Sequence, residues 1–111
     1  FPTSTGKQLR DFCYVTDTVD AIVTSLQHQK AIGEVFNAAS GQPVTIKSII
    51  EQVVSLVGTG NPQFGEIPYR SGENMKLYAN SSKIKETLGW QPKINISEGL
   101  KNTIDWYERQ N

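Results

Sequence analysis

Val35-Phe36-Asn37-Ala38-Ala39-Ser40-Gly41 is followed, after three residues, by Thr45-Ile46-Lys47-Ser48-Ile49-Ile50-Glu51-Gln52-Val53-Val54-Ser55-Leu56-Val57-Gly58. The first run is short, apolar and closed by a turn pair, which reads as a strand buried on both faces. The second is an amphipathic helix. Ile46, Ile49, Ile50, Val53, Val54 and Val57 share one face, Thr45 caps the start, and Val44 stands where a hydrophobic staple to Ile49 forms. Gly58 is placed to end the helix in a left-handed conformation. A buried strand passing into a helix is an α/β signature. Its strand needs neighbours on both sides, and few other stretches of this chain read as strands. Part of a larger sheet is therefore expected to lie outside these residues.

The flanking segments extend the alternation. Phe12-Cys13-Tyr14-Val15 is rich in aromatic and branched residues and predicts a strand. Asp17 is a candidate N-cap for a helix carrying Val19, Ile22, Val23 and Leu26, which fades into the polar residues 27–30 and stops by Gly33. Phe64 to Tyr69 predicts an extended segment, Ser71-Gly72 a turn, and Lys76 to Ala79 a short extended piece. Asn80 or Ser81 is placed to cap a helix with Ile84 and Leu88 on one side, Gly89 ends it, and Trp90 covers that end. Pro92 blocks continuation. Ser97 is the expected cap of a last helix, with Leu100, Thr103, Ile104 and Tyr107 on one face. The predicted order is strand, helix, strand, helix, strand, helix, helix.

Composition narrows function by exclusion. The 111 residues carry 37% hydrophobic and 20% charged side chains, which suits one globular unit. Eleven basic and eleven acidic residues cancel, so no broad cationic face for nucleic-acid polymer or membrane surface is expected. The one cysteine, Cys13, permits no intrachain disulfide, suits a reducing, cytoplasmic setting, and reads as a buried small side chain. His28 is the only histidine, so no metal centre is expected. No apolar run approaches the roughly 18–20 residues of a membrane span, and no secretory leader pattern is present. The first residue is Phe1 rather than Met, consistent with a segment of a longer protein.

Three arginines are present. Arg109 falls at the end of the last helix, where a cation suits the dipole. Arg10 and Arg70 fall at strand-to-turn positions. In Ile67-Pro68-Tyr69-Arg70-Ser71-Gly72-Glu73, an arginine and a carboxylate stand three residues apart across a turn. A guanidinium can hold a phosphate through two hydrogen bonds, and a carboxylate can accept from a sugar hydroxyl. An exposed surface ion pair explains the same residues equally simply. Trp106 and the four tyrosines read as packing residues with at most a wet tip. Gly58 and Gly60 lack the third glycine and the preceding strand of a dinucleotide-binding turn. There is no nucleophile elbow, no P-loop and no Tyr-x-x-x-Lys pair, so no catalytic residue is assigned.

Taken in order, six motifs acquire a joint meaning. They are Arg10-Asp11-Phe12-x-Tyr14-Val15-x-Asp17; Gly33-Glu34-Val35-Phe36-Asn37; Pro43-Val44-Thr45-Ile46; Pro68-x-Arg70-x-Gly72-Glu73; Ser82-Lys83-x-x-x-x-Leu88-Gly89-Trp90-x-Pro92; and Glu98-Gly99-Leu100-x-x-Thr103-Ile104-x-Trp106-Tyr107. Together they closely resemble the C-terminal part of the extended short-chain dehydrogenase/reductases, the NAD-dependent nucleotide-sugar epimerases, dehydratases, decarboxylases and reductases. The resemblance covers nearly the whole chain. It implies the substrate-binding C-terminal lobe of a Rossmann-type α/β fold over residues 1–111, with few strands and about four helices. The dinucleotide-binding domain would precede it, and Val35–Ala39 would belong to that domain's sheet.

The resemblance also implies roles. Arg10 and Arg70 would lie near the nucleotide diphosphate and Glu73 near the ribose, while Tyr14, Val15 and Asp17 would be structural. The intact enzyme would use NAD or NADP, would act as an isomerase or lyase on a nucleoside-diphosphate sugar, and would pair as a homodimer. This chain alone would bind no cofactor and turn over no substrate. Two departures stand out: Ser71 where proline is frequent, and Asn80 where aspartate is frequent. A non-catalytic nucleotide-sugar-binding or regulatory module is the alternative from a different class.

Overall fold

The computed structural model describes residues 1–110. Five two-residue strands and four α-helices follow one another along it: β1 (Pro2–Thr3), β2 (Leu9–Arg10), α1 (Val15–Gln27), β3 (Val44–Thr45), α2 (Ile46–Val57), β4 (Gln63–Phe64), β5 (Lys76–Leu77), α3 (Ser82–Leu88) and α4 (Ile96–Gln110). A single 3-10 turn at Gln29–Ala31 follows α1. In one small sheet β2 lies centrally, antiparallel to β3 and parallel to β5. In the other, β1 pairs in parallel with β4. The α/β class and the four helices agree with the sequence.

Helix α2 forms where the pattern places it. Thr45 Oγ1 accepts from Ser48 N at 3.1 Å, and Gly58 closes the helix at φ 86°. The two preceding amides of its first turn are also occupied: Ile46 N donates to Gln8 O and Lys47 N to Gly6 O. The loop before β2 is thus fastened to the helix start. At Gly6 the approach is close. A Cβ there would lie 2.7 Å from Lys47 N, and φ is +73°, so only glycine fits without movement. The apolar face of α2 is half-buried and packs on α4.

The central core is small. Ala21, Ile84, Leu88 and Trp90 are buried, with Cys13, Ala31 and Phe36 packed against them. Trp90 covers the end of α3 as expected, and its indole N–H donates to Asp17 O at 3.1 Å. Gly89 ends α3 at φ 73°, and Asn80 Oδ1 accepts from Ser82 N, so asparagine serves at the helix start.

Several expectations are corrected. Phe12–Val15 is not a strand. Pairing stops at Arg10 because the Asp11 carboxylate turns to accept from Ser40 N (2.8 Å) and Gly41 N (2.9 Å), and α1 starts at Val15. Asp17 does not cap α1. It is buried in the first turn, and its two oxygens accept from Lys93 N and Ile94 N, both at 3.0 Å, tying α1 to the segment before α4. Val35–Ala39 forms no strand; among the described residues no strand pairs with it, Val35 is 83% exposed, and the Val35 carbonyl accepts from Lys83 Nζ of α3 at 2.9 Å instead. The extended piece at 64–69 is curtailed, because after Phe64 the chain turns at Gly65. Asn95, not Ser97, serves the start of α4, its Oδ1 accepting from Glu98 N at 2.8 Å. Trp106 is half-exposed rather than core, edge-on to Tyr107 at 5.0 Å between ring centroids.

Candidate functional site

The site lies where β2 runs beside β5 and the loop before each strand meets the other. Leu9 N donates to Met75 O at 2.8 Å, and Leu9 pairs with Lys76. That register brings Arg10, on β2, to the turn preceding β5. The turn itself spans Arg70 to Glu73, closed by Glu73 N donating to Arg70 O at 3.0 Å with Gly72 at φ 76°. A positive φ at Gly72 with none at Ser71 fits a type II turn. Tyr69 fastens the turn to the loop before β2: its hydroxyl bonds Thr5 Oγ1 and accepts from Lys7 N at 3.1 Å.

All three residues singled out in the sequence meet here. Arg70 Nε and Nη2 donate to Glu73 Oε2 at 3.1 and 3.0 Å. Arg10 Nη2 donates to the other oxygen, Oε1, at 3.4 Å. A second donation, from Arg10 Nη1 to Leu9 O at 2.8 Å, steadies that guanidinium. Exposure grades across the cluster. The Glu73 side chain is 10% exposed, Arg10 21% and Arg70 87%. Glu73 therefore forms the floor, Arg10 a wall and Arg70 an exposed arm at the rim. The Arg70 guanidinium, and after it the Gln8 amide, hold the Glu73 carboxyl below its usual range.

Sequence reasoning passed over two participants, Gln8 and Tyr69. Gln8 Nε2 donates to Glu73 Oε1 at 3.3 Å across a separation of 65 residues. Nothing local marks either residue; only the position of Gln8 two residues before Arg10, hence on the same face of an extended chain, hints at it. Cys13 lies apart from this cluster, half-buried, and burial raises its thiol pKa above the ordinary value, which suits packing rather than nucleophilic chemistry.

Two cations around one carboxylate leave a net positive charge at the rim. This arrangement can hold a multiply charged anion and accept from a hydroxyl. Among the described residues no cluster of three or more His, Cys, Asp or Glu could ligate a metal. Nor do the residues present fit a nicotinamide dinucleotide. The amides at the start of α2 are taken by Gly6, Gln8 and Thr45, and the Gly58-Thr59-Gly60 segment follows a helix instead of leading into one.

Comparison with known proteins shows the family. A family model described as GDP-mannose 4,6 dehydratase matches residues 2–103. The chain belongs to this family, among the NAD-dependent nucleotide-sugar epimerases and dehydratases. Probable GDP-L-fucose synthase 1 of Oryza sativa is 39% identical over 103 residues, covering 93% of this chain and 30% of the relative. UDP-glucose 4-epimerase of Thermotoga maritima, solved with UDP-glucose, superposes with a TM-score of 0.85 at 31% identity, over 95% of this chain and 33% of that one. dTDP-glucose 4,6-dehydratase of Bacillus anthracis, solved with NAD, gives a TM-score of 0.83 at 29% identity, over 97% and 34%. The epimerase/dehydratase chain described here thus spans about a third of the length of the relatives it matches, in their C-terminal part.

Proposed function

We propose that these 111 residues are the nucleotide-sugar-holding segment of an NAD(P)-dependent sugar epimerase or dehydratase. Arg10 and Arg70 take the diphosphate, Glu73 accepts from a ribose hydroxyl, and the sugar is thereby carried toward a nicotinamide bound elsewhere. A dinucleotide-binding domain preceding residue 1 supplies the cofactor and the proton chemistry. The intact enzyme is an isomerase or lyase, cytoplasmic as the free Cys13 suits, and a homodimer as the family resemblance implies.

One observation carries this reading. Arg10 and Arg70 lie 60 residues apart in sequence, yet both donate to Glu73. A lone surface arginine would not require a second one beside it. A bound diphosphate competes with Glu73 for Arg70, and the high exposure of that arm leaves it free to swing outward. Arg10 stays where it is, fixed by Leu9 O.

Titration of the purified chain with UDP, dTDP, CDP and GDP tests the proposal. Binding of at least one is expected, weakened by Arg70→Ala about tenfold or more, the worth of a charge-assisted bidentate pair. Equal affinity in wild type and Arg70→Ala would remove the clamp. The chain alone is expected to show no turnover; epimerisation or dehydration by these residues without a partner would refute the division of labour.

A further inference from the structure

We propose that Gln8 is a positioning residue for the anion site, holding Glu73 so that Arg10 and Arg70 are presented as a pair; this rests on the nucleotide-holding role given above. The Gln8 backbone is fixed independently of its side chain. Its carbonyl accepts from Ile46 N at 3.0 Å, and the next residue donates from Leu9 N to Met75 O. From that anchored position the amide nitrogen reaches Glu73 Oε1 at 3.3 Å and Ser4 Oγ at 3.4 Å. Ser4 Oγ in turn accepts from Gly6 N at 3.2 Å.

The other end of the amide shows what this arrangement serves. Gln8 Oε1 is buried without a partner, the one such side-chain atom among the described residues. A glutamine present for stability alone would be expected to satisfy both ends, because a buried orphan acceptor is costly. Here the orientation is forced. An ionised carboxylate only accepts, so the amide must turn its NH2 to Glu73, and its oxygen then falls where no donor stands. The orphan is the consequence of holding the carboxylate.

What is held matters for geometry. Glu73 Oε1 has two donors, Gln8 and Arg10, and Oε2 has Arg70. Without Gln8, Oε1 keeps only the long 3.4 Å bond to Arg10. The carboxylate is then free to rotate toward Arg70, and the two guanidinium groups lose their common reference. The charged groups that face Glu73 are Arg10 from β2 and Arg70 from its own turn, and Gln8 is the neutral third.

The test combines Gln8→Met, which keeps length and removes both polar ends, with Gln8→Asn, which keeps the amide but is too short to reach. The Glu73 carboxyl is followed by 13C NMR titration, assigned with Glu73→Gln. In both variants its pKa is expected to move upward from the wild-type position, while Tm in Gln8→Met stays level or rises as the orphan disappears. An unmoved Glu73 titration overturns the proposal, as does a Tm loss in Gln8→Met with no change at Glu73, the mark of a merely structural role. UDP and GDP are then titrated. Affinity is expected to fall about fivefold to tenfold in Gln8→Met, the worth of roughly one hydrogen bond, and the fall should vanish in a Glu73→Gln background. Undiminished affinity also overturns the proposal. If the wild type binds neither nucleotide, the nucleotide-holding reading fails, and the NMR titration still decides whether Gln8 holds Glu73.

Discussion

Ser71 sits at the second position of the Arg70–Glu73 turn, where a type II turn asks for φ near −60° and proline is favoured. Gly72 supplies the positive φ that follows. The family resemblance marks this position as a frequent proline, and the geometry explains why: a fixed ring angle would present Arg70 and Glu73 with less loss of freedom. Ser71→Pro is therefore expected to stabilise the chain by about 0.4–1 kcal/mol, mainly by restricting the unfolded state. Chemical denaturation should show a higher midpoint with unchanged slope, and nucleotide affinity should hold or improve. A lower midpoint would mean that the backbone before the turn cannot take the extended conformation that proline imposes on Arg70. Residues whose chemistry acts locally are legible in the sequence, and those that act at a distance are not. Thr45, Gly58 and Gly89 do what their neighbours in sequence predict. Asp17 has the chemistry of a cap, but its acceptors serve Lys93 and Ile94, more than seventy residues on.

Among the elements, α2 shows how a helix can build a site it does not enter. Its first amides bond the carbonyls of Gly6 and Gln8, so the loop leading to Arg10 is set by the helix start. Gly6→Ala would drive a Cβ against Lys47 N at 2.7 Å in a left-handed conformation. That change is expected to cost more than about 1 kcal/mol, and to weaken nucleotide binding although residue 6 does not touch the anion site. Thermal melting and the same UDP titration check both effects; an unshifted Tm would show that the loop can leave α2 freely. The helices are legible in the sequence because their periodicity lies within one segment, although the caps read for α1 and α4, Asp17 and Ser97, are not the ones used. The strands are not. Phe12–Val15 and Val35–Ala39 have strand composition, but a strand exists only beside a partner. For Val35–Ala39 no described segment provides one; at Arg10 pairing ends when Asp11 binds the 40–41 turn. Motif order singles out Arg10, Arg70 and Glu73, but the contacts that unite them depend on β2–β5 pairing, which no local pattern reveals.

At the scale of the molecule, shape and surface point the same way. The chain measures 49 × 37 × 18 Å with a radius of gyration of 16.6 Å. A compact domain of about 100 residues has roughly 13 Å. The predicted apolar face of α1 forms as expected, yet Val15, Val19, Ile22, Val23 and Leu26 are all exposed, Leu26 at 82%. Ile32 and Val35, after the helix, are also exposed, at 81% and 83%. An amphipathic helix of this kind ordinarily turns its apolar stripe to a core. Under the proposed function, that core is the dinucleotide-binding part, whose sheet would also take up residues 35–39. Alone, the chain carries an exposed apolar stripe along α1, which favours association. Sedimentation velocity across a concentration series is expected to show self-association, together with a low melting temperature. Val19→Lys combined with Ile22→Lys should return the chain to monomer without lowering its melting temperature, because neither side chain is buried in the isolated chain. The same pair should weaken docking of a separately expressed dinucleotide-binding domain. A wild-type chain that stays monomeric at high concentration and melts sharply would mean that the stripe is tolerated in water. The case for a covering domain would then rest on its length relative to its relatives alone.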